Sequence, residues 1–377
     1  MKNRASIYRP LQLFGLLLIG LIMNSLTPST ADAAEHIKVT SEIHLENGVG
    51  IFPSAIIRTK DGGYVVTGNI GSALAWATRV DAQGHLQWRY QIHPGQPGGS
   101  NFEGAVTLND DSTLLCGWKE SSVPGGTSVV GALTHIDKEG KVLSDRIIRP
   151  QEPGVFGNSY LKGCLPWGDG YALIGDTDRV SASPQTSRHQ RYYWVIALDA
   201  SGNIKWEKLI PTSTGGFDFH GIYNALGAVY VAPDQDLVMG SIRLSHGGQI
   251  KNSEVKDASS TYLIPQVIVE PDGHWKSDQR TVLSTISFNT KFQPKAAYIL
   301  PNQTAVKFGS VLRSKVYYAA VEWQSPDRKQ SEIFELDDSG WISDAIPTGV
   351  PGEFVMIRSQ DSDIKKLGMI LSFIQIK

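Results

Sequence analysis

The sequence is poor in cysteine, with only Cys116 and Cys164 in 377 residues. At most one disulfide can therefore form within the chain, and only in an oxidising compartment. Cys116 comes late in one apolar run and Cys164 comes early in another, which is compatible with a disulfide that joins neighbouring repeats. The alternative is that both are free thiols that pack as small hydrophobic side chains.

An excess of positive charge is also lacking. The chain has 35 Lys and Arg residues against 37 Asp and Glu residues, and its formal net charge is −2. No basic cluster alternates with aromatic residues. Because proteins bind nucleic acids mainly through the phosphates, such a surface does not attract them. The composition therefore argues against a nucleic acid as partner.

Long hydrophobic runs are absent apart from one near the N-terminus. Basic residues precede this apolar run at 11–23, and small residues follow it up to Ala33. The order is typical of a secretory signal peptide, and the run is shorter than the roughly 20 residues of a membrane-spanning helix. We expect a signal peptide at 1–33 and a mature domain at 34–377. The mature protein is then a periplasmic or secreted monomer without a membrane span.

Motifs for catalysis or metal binding are missing as well. The sequence has no Gly-x-Ser-x-Gly nucleophile motif, no Gly-x-x-x-x-Gly-Lys phosphate loop and no His-Glu-x-x-His zinc motif. Three Asp-x-Asp triplets, at 176–178, 234–236 and 361–363, do not continue into a calcium-binding loop, and we interpret them as turn-capping aspartates. The sequence thus predicts no catalytic residue, no metal site and no cofactor.

What the sequence does contain is a repeated turn, in which an acidic residue is followed by two variable residues and a glycine. The acidic side chain can accept a hydrogen bond from the backbone two residues later, and glycine adopts positive φ without steric cost. The five copies are Asp81–Gly84, Asp137–Gly140, Asp199–Gly202, Glu270–Gly273 and Asp337–Gly340. Such periodicity is the signature of a repeat fold.

Each copy belongs to a unit of four short apolar runs. Two runs around a turn come first, as at 55–68 and 228–240, a third run ends in the repeated turn, and a fourth follows it. Each unit therefore predicts a four-stranded antiparallel meander. A meander alone buries too little surface, so we expect the units to pack face to face in a β-propeller. A linear solenoid would need polar capping units at both ends, and none is visible.

The number of units predicts the size of the propeller. Five units fill roughly 51–350, and apolar runs at both ends of the mature chain offer the strands of one more. We therefore predict an all-β fold with a single propeller of six four-stranded blades, in which N- and C-terminal strands share the last blade and close the ring. Five or seven blades are the alternatives.

Four tryptophans recur at equivalent positions of the units. Trp76 and Trp194 precede the repeated turn, and Trp88 and Trp206 follow it. Equivalent positions in repeats imply equivalent packing, and each indole can bury on the order of 200 Å². We interpret these residues as aromatic wedges between blades. Stacking on a ligand is the other interpretation.

The stretch ALDASGNIKWEKLI at 197–210 resembles the repeat of pyrroloquinoline-quinone-type propellers, in which an Ala-x-Asp phrase and a glycine precede a tryptophan. The resemblance covers two units well and three loosely, and it implies the propeller fold. The quinone-dependent dehydrogenases of that family resemble larger, eight-bladed rings with adjacent cysteines and a calcium site, and none of these features can be matched here. The resemblance therefore favours the non-catalytic scaffolds and binding proteins that share this repeat.

The candidate site lies at the start of each unit's first strand. In many propellers this strand lines the central channel, so the residues at its start form one rim. Each start holds an aromatic residue, and five add a polar side chain suited to a polar ligand. These candidate rim residues are Glu103, Lys162, His220, Lys295 and Glu353. Charges that only neutralise one another around a wet channel are the alternative.

Two long segments, 178–193 and 243–262, form a second candidate surface. Each joins the predicted second and third strands of its unit, where other units use a few residues. Loops that outgrow a repeat often carry binding specificity. Tolerated insertions at the surface are the alternative.

Two functions fit these features. The first is an exported, non-catalytic binding protein that recognises a protein or a glycan in the cell envelope, as a scaffold, an inhibitor or an assembly factor. The second is a propeller enzyme that uses the rim, either a glycan hydrolase or a small quinone- or metal-dependent oxidoreductase. The absence of catalytic motifs favours the first.

Overall fold

A computed structural model describes most of the chain, and the predicted signal peptide lies outside the described residues. The described ranges are 36–46, 50–71, 74–92, 98–123, 126–151, 156–179, 190–211, 229–231, 234–239, 242–252, 262–269, 275–286, 292–327, 329–360 and 368–377. Within these ranges every regular element is a β-strand. A search of the same ranges finds no helix with the length and apolar character to cross a membrane.

The strands form six sheets, numbered here along the chain. The N-terminal strand β1 (Ile37–Glu46) belongs to the last of them. The first sheet consists of β2 (Ile51–Arg58), β3 (Tyr64–Ile70), β4 (Leu74–Val80) and β5 (Leu86–Gln91). The second consists of β6 (Ser100–Thr107), β7 (Thr113–Val123), β8 (Gly126–Ile136) and β9 (Val142–Ile148). The third consists of β10 (Phe156–Trp167), β11 (Gly170–Arg179), β12 (Gln190–Leu198) and β13 (Ile204–Pro211).

The remaining three sheets are less uniform. The fourth consists of the short strands β14 (Val229–Val231), β15 (Leu237–Met239), β16 (Ile242–Leu244) and β17 (Ile250–Asn252). The fifth consists of β18 (Tyr262–Val269), β19 (Trp275–Ile286), β20 (Phe292–Ile299), β21 (Ala305–Arg313), β22 (Val316–Gln324) and β23 (Ser331–Ser339). The sixth consists of β24 (Ile342–Pro347), β25 (Glu353–Gln360), β26 (Gly368–Ile376) and β1. An all-β chain built from four-stranded antiparallel sheets is consistent with a β-propeller.

The repeated turn forms as predicted in the first three sheets, where it connects the third strand to the fourth. In the first sheet, Asp81 Oδ1 accepts hydrogen bonds from the backbone N–H groups of Gln83 and His85, at 2.9 and 2.8 Å. Asp137 and Asp199 accept the same pair of bonds in the next two sheets. The glycines that end these turns have φ of +86°, +93° and +80°: Gly84, Gly140 and Gly202.

The strands around the last two copies of the turn lie elsewhere than predicted. The Glu270–Gly273 copy lies outside the described residues. The strands on either side of it, β18 and β19, join the fifth sheet, with β18 running parallel to β20. The fifth sheet therefore has six strands rather than four. The Asp337–Gly340 copy begins within β23, the last strand of the fifth sheet, and leads to β24 of the sixth. Sequence similarity of these two segments to the other copies thus does not reflect an equivalent position in a sheet.

The segment 243–262, predicted as a loop, contains strand instead. Strands β16 and β17 lie largely within it and form the third and fourth strands of the fourth sheet. The turn between them runs from Ser245 to Gly248, whose φ is +79°. The reason for the difference is that these strands have three residues each, too few to show an apolar alternation in the sequence.

Both ends of the described chain meet in the sixth sheet, as predicted. β1 pairs antiparallel with β26, from Ile37 opposite Ile376 to Glu46 opposite Met369. An ion pair reinforces the pairing, because the buried Arg358 guanidinium lies 2.8 Å from Glu42 of β1, whose side chain is 32% exposed. The same carboxylate accepts a hydrogen bond from the Ser372 hydroxyl.

Hydrophobic cores lie between sheets that follow one another along the chain. Alternate side chains of one strand enter two different cores: Val66 of β3 packs toward the sixth sheet, and Val65 packs toward the second. Similar cores join the second sheet to the third, the third to the fourth, and the fifth to the sixth. The first, second, third and sixth sheets are thus buried on both faces, which explains their nearly continuous apolar strands.

The recurring tryptophans are wedges between sheets, which confirms that interpretation. Trp76 and Trp194 are fully buried, the first between the sixth and first sheets and the second between the second and third. Trp88 packs on the repeated turn of the next sheet. The contact is so close that a Cβ atom added to Gly140 would lie 2.5 Å from the Cβ atom of Trp88. Trp206 packs in the same way on the turn at Gly248.

Candidate functional site

A β-bulge interrupts the first strand of the meander in five of the six described sheets, all except the fourth. The five strands are β2, β6, β10, β20 and β24. In β6, for example, Phe102 pairs with Gly117 and Gly104 pairs with Cys116, so Glu103 has no partner in the ladder. The residues skipped in this way are Ser54, Glu103, Lys162, Lys295 and Ser343. A bulge re-aims the side chain of its extra residue. Three of the five candidate rim residues therefore share one structural position.

Two of these residues meet across the second and third sheets. Lys162 Nζ lies 3.5 Å from Glu103 Oε1, and their side chains are only 7% and 15% exposed. The Trp118 indole N–H donates a hydrogen bond to the same carboxylate oxygen at 2.9 Å. The Lys162 ammonium also lies 4.7 Å from the centre of the Tyr160 ring, in cation–π geometry. The ion pair is therefore fixed by aromatic neighbours from both sheets.

Three further ionisable residues of the third sheet extend this pair. Asp176 and Asp178 lie on the same face of β11, and Arg191 of β12 pairs with Asp178 in the ladder. Arg191 Nη2 approaches Asp176 Oδ2 to 3.8 Å. Asp178 accepts a hydrogen bond from the Asn158 backbone N–H at 2.5 Å. We call the five residues the acid–base cluster: Glu103, Lys162, Asp176, Asp178 and Arg191.

Asp176 has the most perturbed chemistry of the cluster. Its side chain is 6% exposed, and burial raises the pKa of its carboxyl to about 6 against the opposing effect of Lys162 and Arg191. Asp178 and Glu103 add to the increase through charge repulsion. A carboxyl with this pKa exchanges its proton near neutral pH, which is typical of functional sites.

The cluster lies at one end of the second and third sheets. Asp178 and Arg191 flank the connection between β11 and β12, so they stand at the base of the long segment 178–193. Glu103 and Lys162 lie near the starts of β6 and β10, and antiparallel pairing brings these starts to the same end. The first candidate surface, the rim, and one of the two long segments therefore adjoin each other.

Lys295 lies near a second perturbed carboxyl. Burial raises the pKa of Asp344, on β24, to about 6, although its carboxylate accepts hydrogen bonds from the backbone N–H groups of Ile56 and Ala345. Lys295 is exposed, but the surrounding protein limits the hydration of its ammonium group and lowers its pKa. Attraction between the two charges opposes both shifts.

The other two candidate rim residues do not join this arrangement. Glu353 lies in the hairpin between β24 and β25 and accepts a hydrogen bond from the Thr348 hydroxyl at 2.6 Å, at the end of β24 opposite its bulge. The bulge position of the sixth sheet belongs to Ser343 instead. His220 lies outside the described residues. A binding role for any of the five stays a prediction.

The two cysteines lie beside the acid–base cluster and are free thiols in the structure. The Cys116 thiol, on β7, is within hydrogen-bonding reach of Cys164, on β10. Burial raises the pKa of the Cys116 thiol, and the nearby Cys164 and Glu103 raise it further. The pair spans the second and third sheets, where a disulfide would join neighbouring repeats, and its oxidation stays a prediction.

Sequence reasoning missed Asp176, Asp178 and Arg191. The triplet at 176–178 was interpreted as turn-capping, and this is wrong because it lies within strand β11 with both carboxylates buried. The available signal was a pair of carboxylates, two residues apart, inside a strand that is otherwise apolar. The triplet at 234–236 does cap a turn, since Asp234 accepts the Asp236 backbone N–H. The triplet at 361–363 lies outside the described residues.

A metal centre is not formed by the part of the chain that the structure describes. No three His, Cys, Asp or Glu side chains there converge in a way that could hold a metal ion. The acid–base cluster can instead exchange protons, and it can both accept and donate hydrogen bonds. Its carboxylates accept hydrogen bonds, and its ammonium and guanidinium groups donate them.

Comparison with known proteins yields structural similarity alone. No protein-family profile matches the chain, and no curated protein sequence matches it. A Dyadobacter fermentans protein of unknown function has a similar structure, with a TM-score of 0.50 and 9% sequence identity, covering 91% of this chain and 100% of that one. At this identity the similarity shows a shared fold and nothing about function.

Two further structures are more distant. A member of the DUF4221 family from Bacteroides vulgatus has a TM-score of 0.41 and 11% identity, covering 91% of this chain and 99% of that one. A β-fructofuranosidase of family GH32 from Bombyx mori, determined as a mutant with sucrose, has a TM-score of 0.34 and 8% identity, covering 89% and 92%. The propeller-like, all-β fold follows from the chain's own sheets, and similarities at these TM-scores add nothing to it.

Proposed function

We propose that this chain is an exported, six-bladed β-propeller that binds a polar partner in the cell envelope without catalysing a reaction. The six sheets are the blades, and the sixth closes the ring by joining β1 to β26. The signal peptide at 1–33 directs the chain to the periplasm or the outside of the cell, where it acts as a monomer. Its repeat resembles that of quinoprotein-type propellers, and it works without a quinone.

The observation that carries the proposal is the acid–base cluster. Five ionisable side chains from two sheets converge there, and Lys162, Asp176 and Arg191 are each less than a tenth exposed. Burying charges costs more than an apolar core of the same volume would, so stability alone does not explain them. A site that recognises polar groups explains both their convergence and their position beside a long loop.

A binding experiment tests this function. The purified mature chain is immobilised and exposed to an extract of the cell envelope, and retained components are identified by mass spectrometry and by glycan analysis. The test variant is the double substitution Glu103→Gln with Lys162→Met, which removes both charges of the ion pair together. We expect the wild-type chain to retain a specific component and this variant to lose at least about tenfold in affinity, or about 1.4 kcal/mol.

A matched control uses an exposed ion pair at the other end of the third sheet. Lys205 Nζ lies 3.3 Å from Asp169 Oδ1, and the two side chains are 39% and 73% exposed. The double variant Lys205→Met with Asp169→Asn should retain the partner as the wild type does. Equal loss in both double variants, or no specific retention by the wild type, would contradict the proposed binding role.

An enzyme is the second candidate, and the chemistry of Asp176 favours it. A carboxyl whose pKa is about 6 can act as a general acid near neutral pH, and Glu103 supplies a second carboxyl in the same cluster. Oligosaccharides incubated with the wild-type chain and with Asp176→Asn would be analysed for new reducing ends. Cleavage that disappears in the variant would support a glycan hydrolase and overturn the non-catalytic function.

A further inference from the structure

Asp176 is held in the cluster by burial and by the charges around it. Its side chain is more than nine-tenths buried, and the main influences on its pKa are burial and neighbouring charges rather than hydrogen bonds. The contact with Arg191 is 3.8 Å long, which exceeds a hydrogen bond. Buried carboxylates are normally satisfied by two or more donors, because an unsatisfied one carries its full desolvation cost. A donor from outside the protein would offset part of that cost.

The charges around Asp176 select the kind of donor. An ammonium or guanidinium ligand would be repelled by Lys162 and Arg191, and an anionic ligand would be repelled by Glu103 and Asp178. A neutral ligand meets neither penalty. It must present donors and acceptors side by side, since acids and bases alternate within one cluster. Hydroxyl groups do both, because each donates one hydrogen bond and accepts others.

Aromatic rings border the cluster and supply apolar contact. The Trp118 and Tyr160 rings meet edge to face, 5.6 Å apart, and both are partly accessible. At the same end of the first and sixth sheets, Phe52 and Trp341 stack at 6.2 Å. Rings beside hydroxyl-binding side chains suit a molecule with hydroxyl groups at its edges and C–H groups on its faces.

We propose that the acid–base cluster binds a neutral oligosaccharide, whose hydroxyl groups donate to Asp176 and Glu103 and accept from Lys162 and Arg191. This inference rests on the proposed binding function and names the chemical class of the partner. The sugar's C–H faces pack on Trp118.

The test uses defined saccharides rather than an extract. Wild-type chain, Asp176→Asn and the control Asp169→Asn are titrated calorimetrically with neutral malto-, cello-, xylo- and chito-oligosaccharides, with anionic oligogalacturonate and with cationic chitosan oligomers. We expect the wild type to bind at least one neutral series with a dissociation constant below about 1 mM. Asp176→Asn should weaken that binding at least tenfold, by loss of the charged acceptor, and Asp169→Asn should not change it.

The outcomes separate this inference from the function on which it rests. Three results would overturn the proposal of a neutral oligosaccharide. They are a preference for a charged series, equal binding by wild type and Asp176→Asn, and no binding to any neutral series. If the envelope extract still yields a protein that depends on Glu103 and Lys162, the binding function stands and its partner is a protein. If neither experiment yields a partner, both proposals fail. Circular dichroism of each variant verifies that it is folded.

Discussion

The raised pKa of Asp176 has a consequence for stability. In the unfolded chain this carboxyl releases its proton near its ordinary pKa of 3.8, and in the folded chain it does so near about 6. Between these values the folded state holds a proton that the unfolded state has lost. The free energy of unfolding therefore falls as the pH rises from about 4 to about 6, and above that range the penalty is constant.

Asp176→Asn removes this penalty. We expect the variant to be more stable than the wild type by about 3 kcal/mol near pH 8, and by less than about 1 kcal/mol near pH 4. Urea denaturation at both pH values measures the difference, with Asp169→Asn as an exposed control. A stability difference that is the same at both pH values would contradict the buried, raised-pKa carboxyl. A gain in stability together with lost binding is the pattern of a functional site.

The glycine of the repeated turn is required for two separable reasons. Gly140 and Gly202 both have positive φ, but only Gly140 has a close neighbour, since an added Cβ would lie 2.5 Å from Trp88 Cβ. At Gly202 the nearest atoms are 3.9 Å away. Gly202→Ala therefore measures the backbone conformation alone, and Gly140→Ala adds the displacement of a tryptophan.

We expect Gly202→Ala to lower the free energy of unfolding by about 1 kcal/mol, because an L-residue pays this cost at positive φ. Gly140→Ala should cost about 3 kcal/mol, because overpacking adds to the same strain. Chemical denaturation followed by tryptophan fluorescence measures both. Equal losses would mean that the turn of the second sheet does not rest on Trp88.

At the scale of strands and sheets, Cys116 and Cys164 tie the candidate site to its scaffold. The two thiols belong to β7 and β10 and lie beside the Glu103 carboxylate. Oxidation would join the second and third sheets next to the ion pair that we expect to bind the partner. A covalent link there would preserve the geometry of the cluster in a compartment without reducing agents.

We predict that chain isolated from the periplasm of an expression host contains this disulfide. Thiol titration of the denatured protein should find no free thiol, and two after reduction. Cys116→Ser with Cys164→Ser should lower the free energy of unfolding by about 2–4 kcal/mol relative to the oxidised chain. Two free thiols in the exported, unreduced protein would support the alternative of buried thiols that pack as small hydrophobic side chains.

At the scale of the whole molecule, the pairing of β1 with β26 is what would make the fold a closed one. Removal of residues 1–46 would leave the edge of β26 unpaired and Arg358 buried without Glu42. Arg358 would keep its hydrogen bond to Ser372. An ion pair with an exposed partner contributes on the order of 1 kcal/mol, and the lost strand pairing adds to this. Removal of residues 1–35 leaves β1 in place and is the control.

We expect the chain lacking residues 1–46 to unfold at a lower urea concentration than the control, with a loss of at least about 1 kcal/mol. A synthetic peptide of residues 36–46, added in excess, should restore part of the loss by occupying the open edge. Equal stability of the two truncated chains would contradict a structural role for the shared sheet. An elongated envelope in small-angle X-ray scattering of the control would contradict ring closure.

How much was predictable depends on whether the cause is local. The turns at Asp81, Asp137 and Asp199 follow from a carboxylate and a glycine three residues apart, so their geometry was predicted and is confirmed. The strands of the fourth sheet are too short to show periodicity. The copies at 270–273 and 337–340 have the same residue pattern in other positions, because a turn motif does not determine which sheet its strands join.

The candidate site was predictable only in part for a related reason. Glu103, Lys162 and Lys295 could be identified as equivalent because they start equivalent strands, and the bulge that makes them equivalent leaves no mark in the sequence. Asp176 follows the glycine of a second strand and was passed over. Its significance depends on the charges around it, which come from β6, β10 and β12.

The sequence by itself determined that this protein is all-β, that its strands form antiparallel meanders, and that its two ends contribute to one sheet. These properties follow from apolar alternation and turn chemistry, which act over a few residues. Only the tertiary structure decided that Glu103 meets Lys162 and that Asp176 is buried between opposing charges. Such contacts join residues from separate strands and sheets, and their energy depends on burial and distance, which exist only after the sheets have packed together.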